Sequence, residues 1–284
     1  MTVLEAIQRS ADFLAKKGVA PPRLQAELLL AHALNVPRLE LYLNFQQALS
    51  VAQVEKVRAL VKRRGQREPL QHILGTASFC GLELAVSRAV LVPRPETELL
   101  AELGWQFLST LDPRLSTALD FGTGSGCLAI ALAAKCPAVQ VTATDISADA
   151  LELARQNVAR HGLTARVHPV QSDGFAALPA NARFDLILSN PPYIPSAEIE
   201  RLQPEVRDFD PRAALDGGLD GLNVIRGLAK EAGPFLAPGG RLMLEFGDGQ
   251  GGAVREIFTR QNWVVEAVRE DYTQRQRFLV ARRP

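Results

Sequence analysis

The chain has 284 residues, 47% of them apolar, and a formal net charge of +1. That length and apolar content support one large domain or two unequal ones with a proper core. A charge so near zero excludes a global field drawing the protein to nucleic acid or to a membrane surface, so neither direct nucleic-acid binding nor membrane association is expected.

No uncharged run approaches the ~20 residues of a membrane span, and the amphipathic start Met1–Gln8 does not read as a signal peptide. The three cysteines, Cys80, Cys127 and Cys136, fit neither a disulfide frame nor a zinc site. They read as reduced thiols of a cytoplasmic protein. His32, His72, His161 and His168 show no ligand spacing, so no metal is expected.

Residues 1–65 read as all-helical. Thr2 with Glu5 forms a capping box, Leu4, Ile7, Ala11 and Leu14 share a face, and Gly18 can stop the first helix. A second helix is expected from Pro22 to Leu34 with Leu24, Leu28 and Ala31 on its stripe, and a short third from Leu39 to Phe45. Ser50 and Gln53 make another capping box, and Val54, Val57, Leu60 and Val61 form the stripe of a fourth. That helix ends in Lys62-Arg63-Arg64-Gly65. The cluster reads as a cation-rich last turn closed by glycine, or as a docking patch for an acidic or RNA-containing partner.

Residues 66–92 change character. Pro69, Gly75 and Gly81 punctuate the alternating stretches Gln71–Leu74, Ala77–Phe79 and Leu82–Val86, which predict a β-hairpin linker. Residues 93–284 then alternate strand and helix, the pattern of a mostly parallel α/β sheet. Pro95, Glu96 and Glu98 suit the start of a helix running to Leu108, and Pro93-Arg94-Pro95 makes a stiff arm able to line a ligand site.

Strand Thr117–Phe121 runs into Gly122-Thr123-Gly124-Ser125-Gly126 and a helix to Lys135. Such glycines admit a ligand close to backbone N–H groups at a helix start. The dinucleotide fingerprint needs its third glycine where Cys127 stands, so the loop fits a ligand without pyrophosphate. Strand Val139–Thr144 ends at Asp145, placed to take ribose hydroxyls or to cap the next helix, a job Ser147 could equally do. Strand Arg166–Gln171 ends at Ser172-Asp173-Gly174-Phe175. There Asp173 can reach an adenine amine and Phe175 can cover a base, or both can be turn and core.

The apolar run Phe184–Ser189 reads as a buried strand that stops at Asn190-Pro191-Pro192-Tyr193. Two prolines cannot continue a ladder, so the chain leaves the strand stiffly at its carboxyl end, where open α/β sheets bind ligands. The Asn190 side-chain oxygen and the Pro191 carbonyl can each accept one N–H of a planar –NH2, and the Tyr193 ring can lie against the flat face. That group is a carboxamide or an exocyclic base amine. A long functional loop through Glu205 and Asp210–Gly218 is expected next. It is followed by a helix from Leu222 to Phe235, a turn at Pro238-Gly239-Gly240, strand Arg241–Phe246 containing Glu245, and strands Trp263–Val268 and Arg277–Ala281.

The glycine loop, Asp145 and Asn-Pro-Pro-Tyr stand in the order of class I S-adenosylmethionine-dependent methyltransferases. Within these, Gln71–Gly75, Leu91–Glu98, Asp120–Gly126, Asn190–Ile194, Pro211–Leu215 and Leu219–Leu222 make the chain resemble the peptide chain release factor glutamine methyltransferases (HemK/PrmC family). The resemblance covers nearly the whole length, and Pro93–Glu98 is its most specific piece.

It implies a Rossmann-like, seven-stranded methyltransferase domain over 93–284, preceded by a helical substrate-docking domain over 1–65. It implies S-adenosylmethionine as cofactor, with S-adenosylhomocysteine as product. The implied protein substrate is the Gly-Gly-Gln loop of class 1 release factors, methylated on its glutamine in translation termination. By position, Gly122, Thr123, Gly124, Ser125, Gly126, Asp145, Asp173, Gly174, Phe175 and Asn190 would contact the cofactor. Asn190, Pro191, Pro192 and Tyr193 would hold the glutamine, with Asn190, Pro191 and Tyr193 acting in catalysis. Gly174 stands where the family commonly has tryptophan, and Phe175 is expected to replace that stacking wall. Residues 271–277 depart from the usual Asp-Leu-x-Gly form. The rival readings are an adenine amino-group methyltransferase acting on DNA or RNA, a ribosomal-protein glutamine methyltransferase, a non-catalytic nucleotide-binding factor and an NAD oxidoreductase.

Overall fold

In the computed structural model, which describes residues 1–111 and 116–284, five helices come first: α1 (Val3–Lys16), α2 (Pro22–Leu34), α3 (Arg38–Leu43), α4 (Val51–Gly65) and α5 (Leu70–Leu74). Strands β1 (Thr76–Phe79) and β2 (Leu82–Ala85) form a two-stranded sheet joined through Cys80-Gly81. Next come α6 (Pro95–Leu108), β3 (Thr117–Phe121), α7 (Cys127–Lys135), β4 (Gln140–Asp145), α8 (Ala148–Arg160), β5 (Val167–Gln171) and β6 (Phe184–Ser189). The chain closes with α9 (Pro204–Arg207), α10 (Asn223–Glu231), β7 (Leu236–Glu245), α11 (Gly251–Arg260), β8 (Val264–Glu270) and β9 (Gln276–Arg282).

Two compact units result: Met1–Thr76 with Gln203–Phe209, and Ala77–Leu202 with Asp210–Pro284. In the first, both capping boxes form, Thr2 with Glu5 and Ser50 with Gln53, each satisfying two N–H groups at a helix start. The face of α2 differs in part from the expected stripe. Ala31 is buried as expected, together with Ala26, Leu29, Leu30 and Ala33, whereas Leu24 is exposed. Because α2 is apolar on most sides, its periodicity does not select a face, and its packing against α1 and α4 does.

Gly65 is the last residue of α4 and not its left-handed cap; a Cβ there would lie 2.4 Å from the Phe13 ring, so its role is close approach to α1. Residues 71–74, expected to be extended, lie in the short helix α5, entered through Pro69 and ended by Gly75 at φ +77°.

The basic cluster is largely consumed inside this unit. Buried Arg64 donates to Gln25 Oε1, the Glu68 carbonyl and Glu205 Oε1, while Arg63 makes a forked pair with Glu68. Arg67 also donates to both Glu205 oxygens. Burial alone would raise the Glu205 carboxyl, but Arg67 and Arg64 outweigh it and hold the group below its ordinary range. Thus Glu205 ties residues 203–209 to the helices. The expected long loop is itself partly helical, at Ser196–Arg201, Pro204–Arg207 and Arg212–Ala214.

The second unit holds a seven-stranded sheet in the order β5-β4-β3-β6-β7-β9-β8. Strands β3 to β7 pair in parallel, and β9 runs antiparallel to β7 and β8. The central strands are buried on both faces, as parallel sheets between helices must be. Leu186 and Leu188 belong to the core beneath α6 and α7, and Leu119, Ile187 and Leu244 to the core shared with α10 and α11. Strand β7 begins five residues earlier than expected, at Leu236. Its Pro238-Gly239-Gly240 turn is therefore an irregularity inside the strand, where the pairing with β6 shifts register. Among the described residues, no helix is long and apolar enough to cross a membrane.

Candidate active site

The strand order reverses direction between β3 and β6, so their carboxyl ends open a crevice at a topological switch point. Phe121 is level with Thr144 and Ser189, and Ser189 with Leu244. The residues that follow, Gly122, Asp145, Asn190 and Glu245, therefore emerge side by side on one edge. Register alone brings together segments that are far apart in the chain.

The glycine loop turns tightly, with Gly122, Gly124 and Gly126 at φ +75°, +54° and +83°. A Cβ on Gly122 or Gly124 would meet nothing within 4 Å, so both leave open space at the cavity they line. Asp120 organises this turn from below. Fully buried, it accepts from Thr123 Oγ1 at 2.6 Å and from the Ala129 amide at 3.0 Å, which joins the loop to the start of α7. Burial raises its carboxyl to about 6, against the pull of those two bonds. The sequence reading missed it, although an acid inside an apolar strand was the available signal.

Asp145 accepts from the Gly124 amide at 2.8 Å and the Ser147 amide at 2.9 Å. Ser147, not Asp145, caps α8 through the Ala150 amide. Each Asp145 oxygen keeps further acceptor capacity for ligand hydroxyls. Beside it Ile146 is 61% exposed and lines the same cavity, an apolar wall that the sequence reading did not single out.

That cavity is about 490 Å³, the scale of a small-molecule site. Gly122, Thr123, Gly124, Ser125, Asp145, Asp173, Gly174, Phe175, Asn190 and Pro192 all line it, whereas Gly126, Pro191 and Tyr193 do not. Phe175 contributes less than expected. It is 6% exposed, with its ring stacked on Phe235 at 4.8 Å and tilted against Phe121 at 5.0 Å. One face is therefore already taken by the core.

The tetrad is held from behind by residues absent from the expected site. Asn190 Nδ2 donates to Thr97 Oγ1 at 3.0 Å, and Thr97 Oγ1 donates to Glu245 Oε2 at 2.8 Å. The Tyr193 hydroxyl donates to Glu245 Oε1 at 3.2 Å. Glu245 is 2% exposed. Burial lifts its carboxyl to about 7, opposed by the bonds from Thr97 and Tyr193 and by the charge of Arg277. Burial and the neighbouring Glu245 also raise the Tyr193 phenol, so it stays a neutral donor. Asn190 Oδ1 and the Pro191 carbonyl receive no hydrogen bond among the described residues, which leaves two acceptors on one rigid exit.

Residues 5–75 match the family of PrmC N-terminal domains, and residues 104–202 the methyltransferase small domain family. The release factor glutamine methyltransferase of Geobacter sulfurreducens is 46% identical over 259 residues, covering 91% of this chain and 89% of that one. That of Chlorobaculum tepidum is 42% identical over 284 residues, covering 98% and 96%. The chain belongs to the release factor glutamine methyltransferase family.

Solved structures share the fold of its sheet domain. A methyltransferase from Pyrococcus furiosus superposes with TM-score 0.50 at 23% identity, covering 72% of this chain and 90% of that one. The hMettl16 catalytic domain, solved with an RNA hairpin, gives 0.54 at 15%, covering 72% and 76%.

Two further motifs of this methyltransferase acquire structural roles. Arg94 donates to buried Asp210 Oδ2 at 2.7 Å, which ties the Pro93–Pro95 arm to the Asp210–Ala214 segment along the cavity wall. Burial raises the Asp210 carboxyl to about 6 although Arg94 pulls it down. Gln250 Nε2 donates to the Tyr193 carbonyl at 2.9 Å, while Gln250 Oε1 accepts from the Gly247 amide at 2.8 Å. Cys127 lines the cavity, but burial pushes its thiol, like that of Cys80, up to about 12, so neither is a thiolate nucleophile.

Proposed function

We propose that this protein transfers the methyl group of S-adenosylmethionine to the side-chain amide nitrogen of the glutamine in the Gly-Gly-Gln motif of class 1 release factors, in the cytoplasm. The observation that carries this reading is the pair of unclaimed acceptors, Asn190 Oδ1 and the Pro191 carbonyl, beside a cavity whose glycine loop leaves open space.

The residues present fit the methyl donor. Gly122 and Gly124 would admit its amino-acid portion against backbone amides, Asp145 would take the ribose hydroxyls, and Ile146 and Phe175 would wall the adenine. When bound, the donor supplies an electrophilic methyl on a positively charged sulfur. A glutamine amide is a poor nucleophile because its nitrogen lone pair is delocalised into the carbonyl. Asn190 and Pro191 address this by fixing the –NH2 plane and placing negative dipoles where positive charge develops on nitrogen. Alignment supplies up to ~7–11 kcal/mol for well-oriented reactants. The N–C bond forms as the C–S bond breaks, the electron pair leaves on sulfur, and the proton departs from nitrogen after transfer. Tyr193 is anchored through its hydroxyl on Glu245.

Incubation with labelled S-adenosylmethionine and a purified class 1 release factor tests the reading. Label is expected on the normal substrate and none when the Gly-Gly-Gln glutamine is alanine. Label on both, or on neither, would displace the proposed target. A second expectation concerns the donor site. Asp145→Ala is expected to weaken S-adenosylmethionine binding roughly 10–100-fold, the loss of charge-assisted hydrogen bonds worth about 1.5–3 kcal/mol. Isothermal titration calorimetry measures this directly, and unchanged affinity would remove Asp145 from the site.

A further inference from the structure

We propose that Thr97 and Glu245 are positioning residues that set the orientation of the Asn190 amide, so that its oxygen and not its nitrogen meets the substrate –NH2. This deepens the reading of Asn190 as acceptor for the glutamine amide and rests on it.

One chain of hydrogen bonds from Glu245 through Thr97 to Asn190 fixes where each proton lies. An ionised carboxylate only accepts. The Thr97 hydroxyl, 2.8 Å from Glu245 Oε2, therefore directs its single proton there and offers lone pairs elsewhere. The Asn190 atom 3.0 Å from Thr97 Oγ1 must then be a donor, which makes it Nδ2. The opposite amide orientation would set two acceptors against each other at that distance. Oδ1 is thereby left at the cavity, where an –NH2 needs an acceptor. The second Glu245 oxygen accepts the hydrogen bond of the Tyr193 hydroxyl, so one carboxylate holds Tyr193 directly and Asn190 through Thr97. All of these groups except Tyr193 are brought in by register and by the start of α6. This also gives Thr97, within the most specific stretch of the sequence, a chemical role.

The carboxylate form is the working one. A protonated Glu245 has a proton of its own to donate, which frees the Thr97 hydroxyl to turn towards Asn190. The amide can then reverse and present donor to donor at the substrate. The charged and titratable groups facing Glu245 are Arg277 on β9, which favours the ionised form, Glu96 on α6, which opposes it, and the neutral Tyr193 phenol. Arg277 is itself held by Asp271. Because the folded carboxyl titrates above its ordinary value, the ordered network gains as pH rises through about 7. The fold loses stability as pH rises from the ordinary carboxyl value of 4.5 towards about 7, where the unfolded state has already given up the proton, and no further above that.

The test uses the full chain and Thr97→Val, Thr97→Ser and Glu245→Gln. kcat and KM are measured across pH with a release factor substrate. Hydrogen exchange of the ¹⁵N-labelled Asn190 side-chain amide is followed in the resting protein. Thr97→Val is expected to lower kcat roughly 10–100-fold, the range for removing a supporting hydrogen-bond partner, with KM for S-adenosylmethionine little changed. Thr97→Ser is expected to restore kcat to the wild-type order. The rise of kcat centred near pH 7 should be absent in Glu245→Gln. Asn190 side-chain protons should exchange slowly in the wild type above that pH and rapidly in Thr97→Val. Wild-type kcat in Thr97→Val, a Thr97→Ser variant no better than Thr97→Val, or survival of the pH limb in Glu245→Gln would overturn the proposal. If the wild type methylates no release factor, the substrate reading falls, while the exchange measurement still decides the amide orientation.

Discussion

Asn190→Ala is expected to lower kcat by on the order of 10²–10³, the range for losing one preorganised polar group at a developing charge, while S-adenosylmethionine binding persists in part. Two observations set this expectation. Asn190 Oδ1 is one of two acceptors at the strand exit, and the other, the Pro191 carbonyl, belongs to the backbone and survives the substitution. The glycine loop, Asp145 and the Asp173–Phe175 turn, proposed to hold the donor, line the cavity on segments separate from Asn190. The loss therefore falls on the transition state more than on donor binding, and single-turnover rates with calorimetric affinities separate the two. A variant with near-normal turnover would remove Asn190 from the chemistry.

Gly221→Ala should produce the second large effect, and for a purely geometric reason. At φ +78°, a Cβ on Gly221 would lie 2.2 Å from the Tyr193 carbonyl oxygen and 2.7 Å from Gln250 Nε2. Gln250 is the side chain that holds that same carbonyl. The new methyl cannot be relieved by a rotamer change, because the nearest atom is backbone of the tetrad itself. Gly239 supplies the control: its φ is +79°, but a Cβ there meets nothing within 4 Å. Gly239→Ala is expected to cost about 1 kcal/mol, the left-handed backbone penalty alone. Gly221→Ala should cost roughly 3 kcal/mol or more, or shift Tyr193 and abolish turnover. Thermal unfolding of the two variants with kcat on the same samples checks this. Equal behaviour of the pair would mean that the Leu219–Leu222 segment does not brace the tetrad.

The order of the site was legible in the sequence, because each of its parts carries local chemistry. Gly122, Gly124 and Gly126 announce a left-handed turn, Asp145 ends a strand, and Pro191-Pro192 stops one. These are short-range effects of φ restriction and missing N–H groups, readable within a few residues. The two capping boxes were legible for the same reason. Where local pattern is degenerate, the reading went astray. The apolar residues of α2 lie on most of its sides and did not reveal its buried face, and Gln71–Leu74 alternates yet is helical. Phe175, next to a turn, gave no sign that Phe235 stacks on it.

What the sequence determined by itself is thus the family, the order of strands and turns, and the candidate atoms at each strand end. The tertiary structure alone decided which of those atoms are free. Thr97 and Glu245 are 148 residues apart and meet because β7 lies in register beside β6, with α6 packed across their ends. Arg94 finds Asp210, and Glu205 finds Arg64 and Arg67, over similar separations. A hydrogen-bond donor chooses its acceptor by distance and direction after the core has closed. The hydrogen bonds that hold the Asn190 amide through Thr97 and Glu245 are therefore a property of the packed sheet and not of Asn-Pro-Pro-Tyr.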